Sequence, residues 1–353
     1  MPRSIRTRLP KLQATDESIF VNRREFLSRA GFGVAGMACL GSTAAVFGCE
    51  PAQDSEQGQQ QGKPPASKGS DAFTPPFERP EVFPAKRNVG LSKKLPLTPQ
   101  YKGSTHNNFY EFLPGKGGPV HKYTDAFEVT PWEIEVTGLC DKPQKFDLDA
   151  IFKIEHEERM YHFRCVETWA MNVPWTGFSL STLLDKVEPK AEAKFVRFVS
   201  ANKPEQMPGI AQAPWYTWPY YEGLRMDEAR HELTMLVTGV YGKPLLKQHG
   251  APIRVIVPWK YGYKSPKSIV KIELVATQPA TFWNEANPGE YGFLSNVNPN
   301  IPHPRWSQAQ EYLLQNPGRR YDTEIFNGYG EFVSALYPDE PTTPMASAPP
   351  RGR

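Results

Sequence analysis

Cysteine is scarce in this chain, with four in 353 residues. None stands in a Cys-x-x-Cys pair and no His-x-x-x-His spacing occurs, so the usual zinc sites have no motif here. Charge of one sign is also lacking. A formal balance of +3, with no basic run interleaved with aromatics, is too small to argue for nucleic acid or an acidic membrane surface. Gly-x-Gly-x-x-Gly, the P-loop and Gly-x-Ser-x-Gly are all missing. Dinucleotide binding, nucleotide hydrolysis and serine-esterase chemistry therefore have no motif to stand on. There is no βαβ rhythm and no internal repeat.

Proline is plentiful. The 36 prolines are about twice the usual share, which predicts many loops and few long helices. The length allows one large domain or two fused ones.

The N-terminus reads as an address. Asn22-Arg23-Arg24-Glu25-Phe26-Leu27 precedes a small, weakly apolar stretch from Ala30 to Gly48. That is the plan of a signal peptide, and the paired arginines before Phe26-Leu27 point to the twin-arginine route, which exports folded proteins. A membrane anchor is the rival reading, because the stretch approaches the roughly 20 residues needed to span a bilayer; its weak hydrophobicity counts against it. Val46-Phe47-Gly48-Cys49 resembles a lipobox, which would anchor the mature chain through lipidated Cys49. Cleavage after a small residue among Ser42 to Ala45 is the alternative. The expected organisation is a signal over residues 1–49, a disordered Gln/Ser/Gly/Pro linker over 50–72 and a folded domain over 73–353.

Within that domain, Thr74 to Lys94 is Pro-rich and basic and is expected to lie as an extended arm. Trp132–Val136 and Lys194–Ser200 alternate as half-buried strands. Leu233–Val240, Ile253–Val257 and Ile269–Val275 are rich in β-branched residues and read as further strands. Helical patterns are short: Asp147–Phe152, Leu180–Val187, capped by Ser179 or Ser181, and Ser307–Leu314. The predicted class is a β-rich α+β domain.

Cys39 falls in the signal and Cys49 at its end, leaving Cys140 and Cys165. Cys140 sits at a turn, Gly138-Leu139-Cys140-Asp141. Cys165 sits in Arg164-Cys165-Val166-Glu167-Thr168-Trp169, between a guanidinium and a carboxylate. A neighbouring guanidinium favours the thiolate, which attacks or ligates a soft metal. Two cysteines in an oxidising compartment also default to a disulfide. The residues alone leave three readings open: a Cys140–Cys165 disulfide in a non-enzymatic tethered envelope protein, a metal thiolate, and a nucleophile. Trp169, Trp175, Trp215 and Trp218 read as core. His162 reads as a structural hydrogen-bonding residue, with a supporting role near Cys165 as the alternative.

The Cys165 segment, followed by Val173-Pro174-Trp175-Thr176-Gly177, resembles the molybdenum-ligating segment of the sulfite-oxidase superfamily. More narrowly, the chain is similar to the catalytic subunits of periplasmic protein-methionine-sulfoxide reductases. The resemblance runs in order through Asn107–Phe112, Pro204–Gly209, Thr238–Lys243, Gly250–Arg254, Val257–Lys264, Asn296–Pro299 and His303–Gln308. It implies a mixed α+β molybdopterin domain of the sulfite-oxidase type, without a dimerisation domain. It implies one molybdenum per chain, held by the dithiolene of a molybdopterin and by Cys165. Asn107, Tyr110, Glu111, Ser200, His249, Arg254, Ser265, Pro266 and Lys267 match cofactor-binding positions, with Arg254 facing the pterin phosphate. Ser200 stands where Thr is usual, His249 where Asn is usual, and Ser265-Pro266 where a Gly-aliphatic pair is usual. His249 could become cationic beside a phosphate, and Pro266 lacks a backbone donor.

The resemblance further implies reduction of methionine sulfoxide in envelope proteins by oxygen-atom transfer to reduced molybdenum. Electrons would come from the quinone pool through a haem-containing membrane subunit, with this chain as the one catalytic subunit of a heterodimer. Glu167 would deliver protons or orient substrate; its alternative is a buried ion pair with Arg164. Another sulfoxide or N-oxide reductase, or a sulfite-oxidising relative with the same cofactor, is the alternative within enzymes, and the latter would be expected to carry a further domain.

Overall fold

A computed structural model describes residues 73–343. The expected signal, lipidation site and linker lie outside the described residues.

Fourteen strands are described: β1 (Asn107–Phe109), β2 (Leu113–Gly118), β3 (Glu133–Gly138), β4 (Gln144–Asp147), β5 (Glu157–Arg164), β6 (Trp169–Ser179), β7 (Phe195–Ser200), β8 (Tyr221–Arg225), β9 (Met235–Val240), β10 (Lys243–Pro244), β11 (Arg254–Ile256), β12 (Ile269–Val275), β13 (Gln310–Leu313) and β14 (Asn316–Asp322). One sheet runs β10-β9-β6-β13-β14, with β5 also on β6 and β11 also on β9. A second runs β4-β3-β12-β7-β8, and β1 pairs with β2 in a small hairpin. In the second sheet β12 lies parallel to β3 and antiparallel to β7. The parallel pair requires a long crossover, and the chain between β3 and β12 includes most of the first sheet.

The β5–β6 pair is the spine of the first sheet, in register from Glu157↔Gly177 to Arg164↔Ala170. Both strands are buried on both faces over most of their length. Trp175 is fully buried, with Phe163 edge-on at 5.8 Å. Removing an aromatic side chain of this kind from water stabilises by roughly 1.5–3 kcal/mol. The arm before β1 runs along β5: Glu158 N–H donates to Lys86 O at 2.9 Å, Asn88 N–H to Glu158 O at 2.8 Å and Lys93 N–H to Met160 O at 2.9 Å.

Helices are short. Leu148–Phe152 is capped by Asp147, whose Oδ1 accepts from Ala150 N–H at 2.7 Å. Leu180–Val187 buries Leu180, Leu183, Leu184 and Val187, the spacing of one helical face. Ser179 precedes it, but its hydroxyl serves Arg159 rather than capping.

One expected element is overturned. Ser307–Leu314 carries Ala, Gln, Glu and Leu, all helix formers, yet Gln310–Leu313 is strand β13. It pairs in parallel with Trp169 and Ala170 of β6 and antiparallel with β14. Sheet pairing overrides the local propensity, with a consequence for the site: Glu311 is brought beside Arg164.

Candidate active site

The two sheets present their ends and connecting loops to a common cleft of about 870 Å³, counted to its open mouth. The turn between β5 and β6 supplies its centre. Cys165 N–H donates to Trp169 O at 2.9 Å and Thr168 N–H to Cys165 O at 3.1 Å, which closes the turn tightly. Thr168 is forced to φ 73°, a left-handed conformation that a β-branched residue adopts only at a cost of order 1–3 kcal/mol. The turn places Cys165 on the cleft wall. Its sulfur accepts two N–H groups, from the Glu167 backbone and from Asn108 Nδ2, each at 3.4 Å.

The Arg164 charge favours the thiolate, as its sequence position suggests, but burial outweighs it. The guanidinium turns inward, with Nε on Glu311 Oε2 at 2.9 Å, NH2 on Gln308 Oε1 at 2.9 Å and NH1 on Cys165 O. Burial, followed by the Glu167 charge, pushes the Cys165 thiol well up. Such a sulfur becomes anionic when something with positive charge binds it. Glu167 is not the ion-pair partner of Arg164. Its Oε2 accepts from Asn108 Nδ2 at 3.1 Å and from Trp169 Nε1 at 3.3 Å.

Behind the turn, Glu311 Oε1 also lies in hydrogen-bond contact with His162 Nε2 at 2.7 Å, and His162 Nδ1 with Asn172 Oδ1 at 2.6 Å. Gln308 Nε2 and Trp306 Nε1 both donate to Val166 O, at 2.8 and 2.9 Å. Each polar side chain in this layer has a protein partner, so the Cys165 turn is held on several sides.

The opposite end of the cleft is built differently. Arg254 is buried there and Lys267 half-buried. Arg254 donates only to backbone carbonyls: His249 O at 2.9 Å, Ser265 O at 3.0 Å and its neighbour's at 3.4 Å. Among the described residues no carboxylate lies within ion-pair distance of either cation. Burial holds Arg254 down at about 9, and burial together with Arg254 holds Lys267 down at about 8. Glu111 is the one acid nearby, pushed up to about 7 by its own burial. Gly209 sets this residue: a Cβ there would lie 2.1 Å from Tyr110 O, so only glycine lets the 208–212 helix press against the Tyr110–Glu111 backbone.

Several buried polar atoms toward this end have no protein partner: Asn107 Oδ1, Ser200 Oγ, His249 Nδ1 and Trp175 Nε1. Asn107 Nδ2 and His249 Nε2 share Gly103 O, each at 3.1 Å. Burial lowers His249 to about 4, so it is neutral near pH 7. With Nε2–H donating, Nδ1 is a lone-pair acceptor. It suits an N–H donor rather than a phosphate, which removes the expected cation at this position.

A buried Arg254 with no carboxylate partner, beside a half-buried Lys267 opposed only by Glu111, is costly unless an anion joins them. Unpaired buried acceptors and donors beside them ask for a ligand bearing both kinds of group. A soft sulfur lies in the same cleft. The residues therefore fit a phosphate-bearing, heteroaromatic, metal-carrying cofactor.

Of the expected site residues, Cys165, Glu167, Asn107, Tyr110, Glu111, Arg254 and Lys267 line the cleft together. Ser200, His249, Ser265 and Pro266 are not on its surface. The carbonyls of His249 and Ser265 orient Arg254, and that of Pro266 accepts from Val255 N–H at 3.0 Å, beside Arg254. Sequence reasoning missed Asn108, Tyr220, Tyr263, Trp283 and Tyr291, which also line the cleft; Trp169, expected in the core, is buried there and also borders the cleft. Trp215, also expected in the core, is 72% exposed. Cys140 and Cys165 are both free and buried, so the disulfide reading fails.

The model of the oxidoreductase molybdopterin-binding domain matches residues 120–283. The protein-methionine-sulfoxide reductase catalytic subunit MsrP of Burkholderia mallei is 43% identical over 333 residues, 93% of each chain. The chain belongs to this family. Its counterpart in Xanthomonas axonopodis pv. citri is 41% identical over 93% of this chain and 95% of its own. That of Ralstonia nicotianae is 42% identical over 93% of each. Among solved structures, the sulfane dehydrogenase SoxCD of Paracoccus pantotrophus aligns over 62% of this chain and 58% of its own, at TM-score 0.41 and 16% identity. As a family member the chain is an oxidoreductase acting on sulfur groups, and its cofactor is Mo-molybdopterin.

Proposed function

We propose that this enzyme reduces methionine sulfoxide in exported proteins, with Cys165 as the one protein ligand of molybdenum and Arg254 and Lys267 as the phosphate clamp. The observation that carries the reading is the joining in one cleft of a soft sulfur, a buried Arg254 with no carboxylate partner and a neighbouring Lys267. Bound molybdenum supplies a two-electron centre able to accept an oxygen atom from sulfur. Overall, the sulfoxide takes up two protons and two electrons and leaves as thioether and water, the reversible step of methionine oxidation.

The protein's part is to hold and supply. Asn108 and the Glu167 backbone N–H steady the sulfur. Glu167, oriented by Asn108 and Trp169, sets a carboxylate two residues from Cys165, where it would relay protons or orient substrate. Trp283, Tyr291 and Tyr110 wall the mouth, with Trp283 packed on both tyrosines at 4.9 and 5.3 Å. Aromatic rings favour sulfur contacts by about 0.3–1.5 kcal/mol, which suits a methionine side chain.

Asn107 would meet the pterin, and His249, Ser265 and Pro266, whose carbonyls lie around Arg254, would shape the phosphate end together with Ser200. The twin-arginine pattern at Asn22–Leu27 supports export to the periplasm, with Cys49 as an anchor. A haem-containing membrane subunit drawing on the quinone pool would supply electrons to this catalytic subunit.

The test uses enzyme purified from a cofactor-competent host, assayed with a reduced dye and an oxidised protein substrate. Wild type should carry about one molybdenum per chain and turn over. Cys165→Ala should stay folded by circular dichroism and lose turnover; full activity in that variant ends the proposal.

A further inference from the structure

Beside the reaction cleft lies a second cavity of about 690 Å³. Val166 and Tyr263 line both, so the two are separated by no more than the width of those side chains. Val166 follows Cys165 directly. Anything entering the first cavity passes next to the second.

The second cavity has an apolar rim. Leu294 and Ile301 are 37% and 38% exposed and both line it; they are two of the six exposed large apolar side chains among the described residues. Their exposure is built in. The carbonyl of Leu294 accepts from the buried Lys260 Nζ at 2.7 Å. Ser295, held at φ 48°, bonds through its hydroxyl to Gly292 O at 2.6 Å and to the Tyr263 hydroxyl. Tyr261 N–H donates to Ser295 O at 3.0 Å. The backbone is thus pinned while the leucine side chain is left facing the cavity. On the other side, Asn300 N–H donates to Asn298 Oδ1 at 2.9 Å, and Asn298 Nδ2 is tied to Glu340 at 2.8 Å, which fixes the loop carrying Ile301.

The acids of this cavity are already engaged. Glu290 accepts from Arg305 at 2.5 Å, and Glu340 also accepts from Asn296 at 2.8 Å. A ligand therefore meets a rigid apolar surface backed by satisfied carboxylates. Rigid, partly exposed apolar side chains around a concavity are what a bound apolar group requires. Continuity with the reaction cleft decides the occupant: a peptide reaching Cys165 with one side chain has neighbours about 3.8 Å away along its backbone, within reach of the adjoining cavity.

Resting on the function proposed above, we infer that the second cavity is a subsite for the polypeptide flanking the oxidised methionine, and that it takes an apolar side chain from a neighbouring residue. Binding energy gained there is available to a protein substrate and not to the free amino acid. Charged neighbours are disfavoured, because the apolar rim of Leu294 and Ile301 offers them no partner.

The test compares three substrates with a reduced dye as donor: free methionine sulfoxide, a peptide with leucine on both sides of methionine sulfoxide, and the same peptide with aspartate on both sides. Wild-type holoenzyme should prefer the leucine peptide over the other two in kcat/KM. Leu294→Ser and Ile301→Ser should each lower the leucine-peptide to free-amino-acid ratio of kcat/KM by about tenfold, with the loss mainly in KM. Equal ratios in wild type and both variants overturn the subsite. Two other patterns also overturn it: a deficit confined to turnover with the membrane electron donor, which assigns the face to that partner, and a wild-type dimer that the variants dissociate, which assigns it to a second copy. Wild-type enzyme that carries molybdenum yet reduces none of the three substrates is a separate outcome and removes the functional reading on which the subsite rests.

Discussion

The two ends of the cleft solve opposite problems. At the Cys165 end, Arg164, Glu311, His162, Asn172 and Gln308 form a layer in which each buried charge or amide meets another protein group. At the Arg254 end, a buried Arg254 faces backbone carbonyls, a half-buried Lys267 faces one raised carboxyl, and several polar atoms have no protein partner. The first end is complete within the chain and fixes geometry. The second becomes complete only with an anionic ligand, so part of its free energy is deferred to cofactor binding. A rigid ligand turn and an unsettled phosphate end let one protein bond set the metal's position while the larger contact surface retains the cofactor.

Substitutions should separate the two ends. The largest effect is expected at Arg164. Arg164→Met leaves Glu311 with His162 alone and Gln308 Oε1 without its donor, and should destabilise by about 3 kcal/mol, in denaturant titrations of cofactor-free and cofactor-loaded protein alike. A loss confined to the loaded form would show that this layer is not self-sufficient. Next is His249. Its pKa falls from 6.5 to about 4 on folding, so between those values the unfolded chain takes up a proton that the native chain refuses. Stability is therefore full above pH 6.5 and declines as pH falls toward 4, by at most about 3 kcal/mol from this group. His249→Asn keeps a donor for Gly103 O and should flatten that part of the stability–pH curve; an unchanged slope would mean the imidazole is protonated in place.

Lys267→Met should act the other way round from Arg164→Met. Removing one of two repelling cations leaves the melting temperature of the cofactor-free protein unchanged or higher, and Glu111 can protonate. Retention of the cofactor should fall roughly tenfold to a hundredfold, as for loss of a charged hydrogen bond worth about 1.5–3 kcal/mol, read as molybdenum remaining after dialysis. A lower melting temperature without cofactor loss would place Lys267 with the structural layer. The smallest effect is at Ser200, whose buried hydroxyl has no protein partner. Ser200→Ala should raise cofactor-free stability by about 1 kcal/mol and give no gain in the loaded protein. Destabilisation of the cofactor-free form would show that the hydroxyl is bonded within the chain.

The sequence made different parts of this contrast legible. Strand β12 and the helix Leu180–Val187 match their expected bounds, because one has β-branched residues at regular spacing and the other a clean apolar face. The β5–β6 spine gave no such signal. Its strands are buried on both faces, so alternation is lost, and Pro174 and Gly177 interrupt β6. Local pattern also failed at β13, where partners far away in sequence decide the conformation. The cleft followed the same division. Cys165, Arg254 and Lys267 were found through ordered motifs. Asn108 adjoins the expected Asn107 and could have been reached through its amide, the natural donor to a thiolate. Trp283 and Tyr291 could not, since only the meeting of two sheets brings them over Cys165. The partner of Arg164 was misassigned for a related reason: Glu167 is near in sequence, but Glu311 is near in space.

The central claim is that Cys165 is the protein bond to molybdenum, with the opposite cations retaining the rest of the cofactor. Molybdenum K-edge X-ray absorption of wild-type holoenzyme and of Cys165→Ala tests it directly. The account predicts that molybdenum persists in the variant, held from the Arg254 end, with one sulfur fewer in its coordination shell. The same sulfur number in both proteins would contradict it.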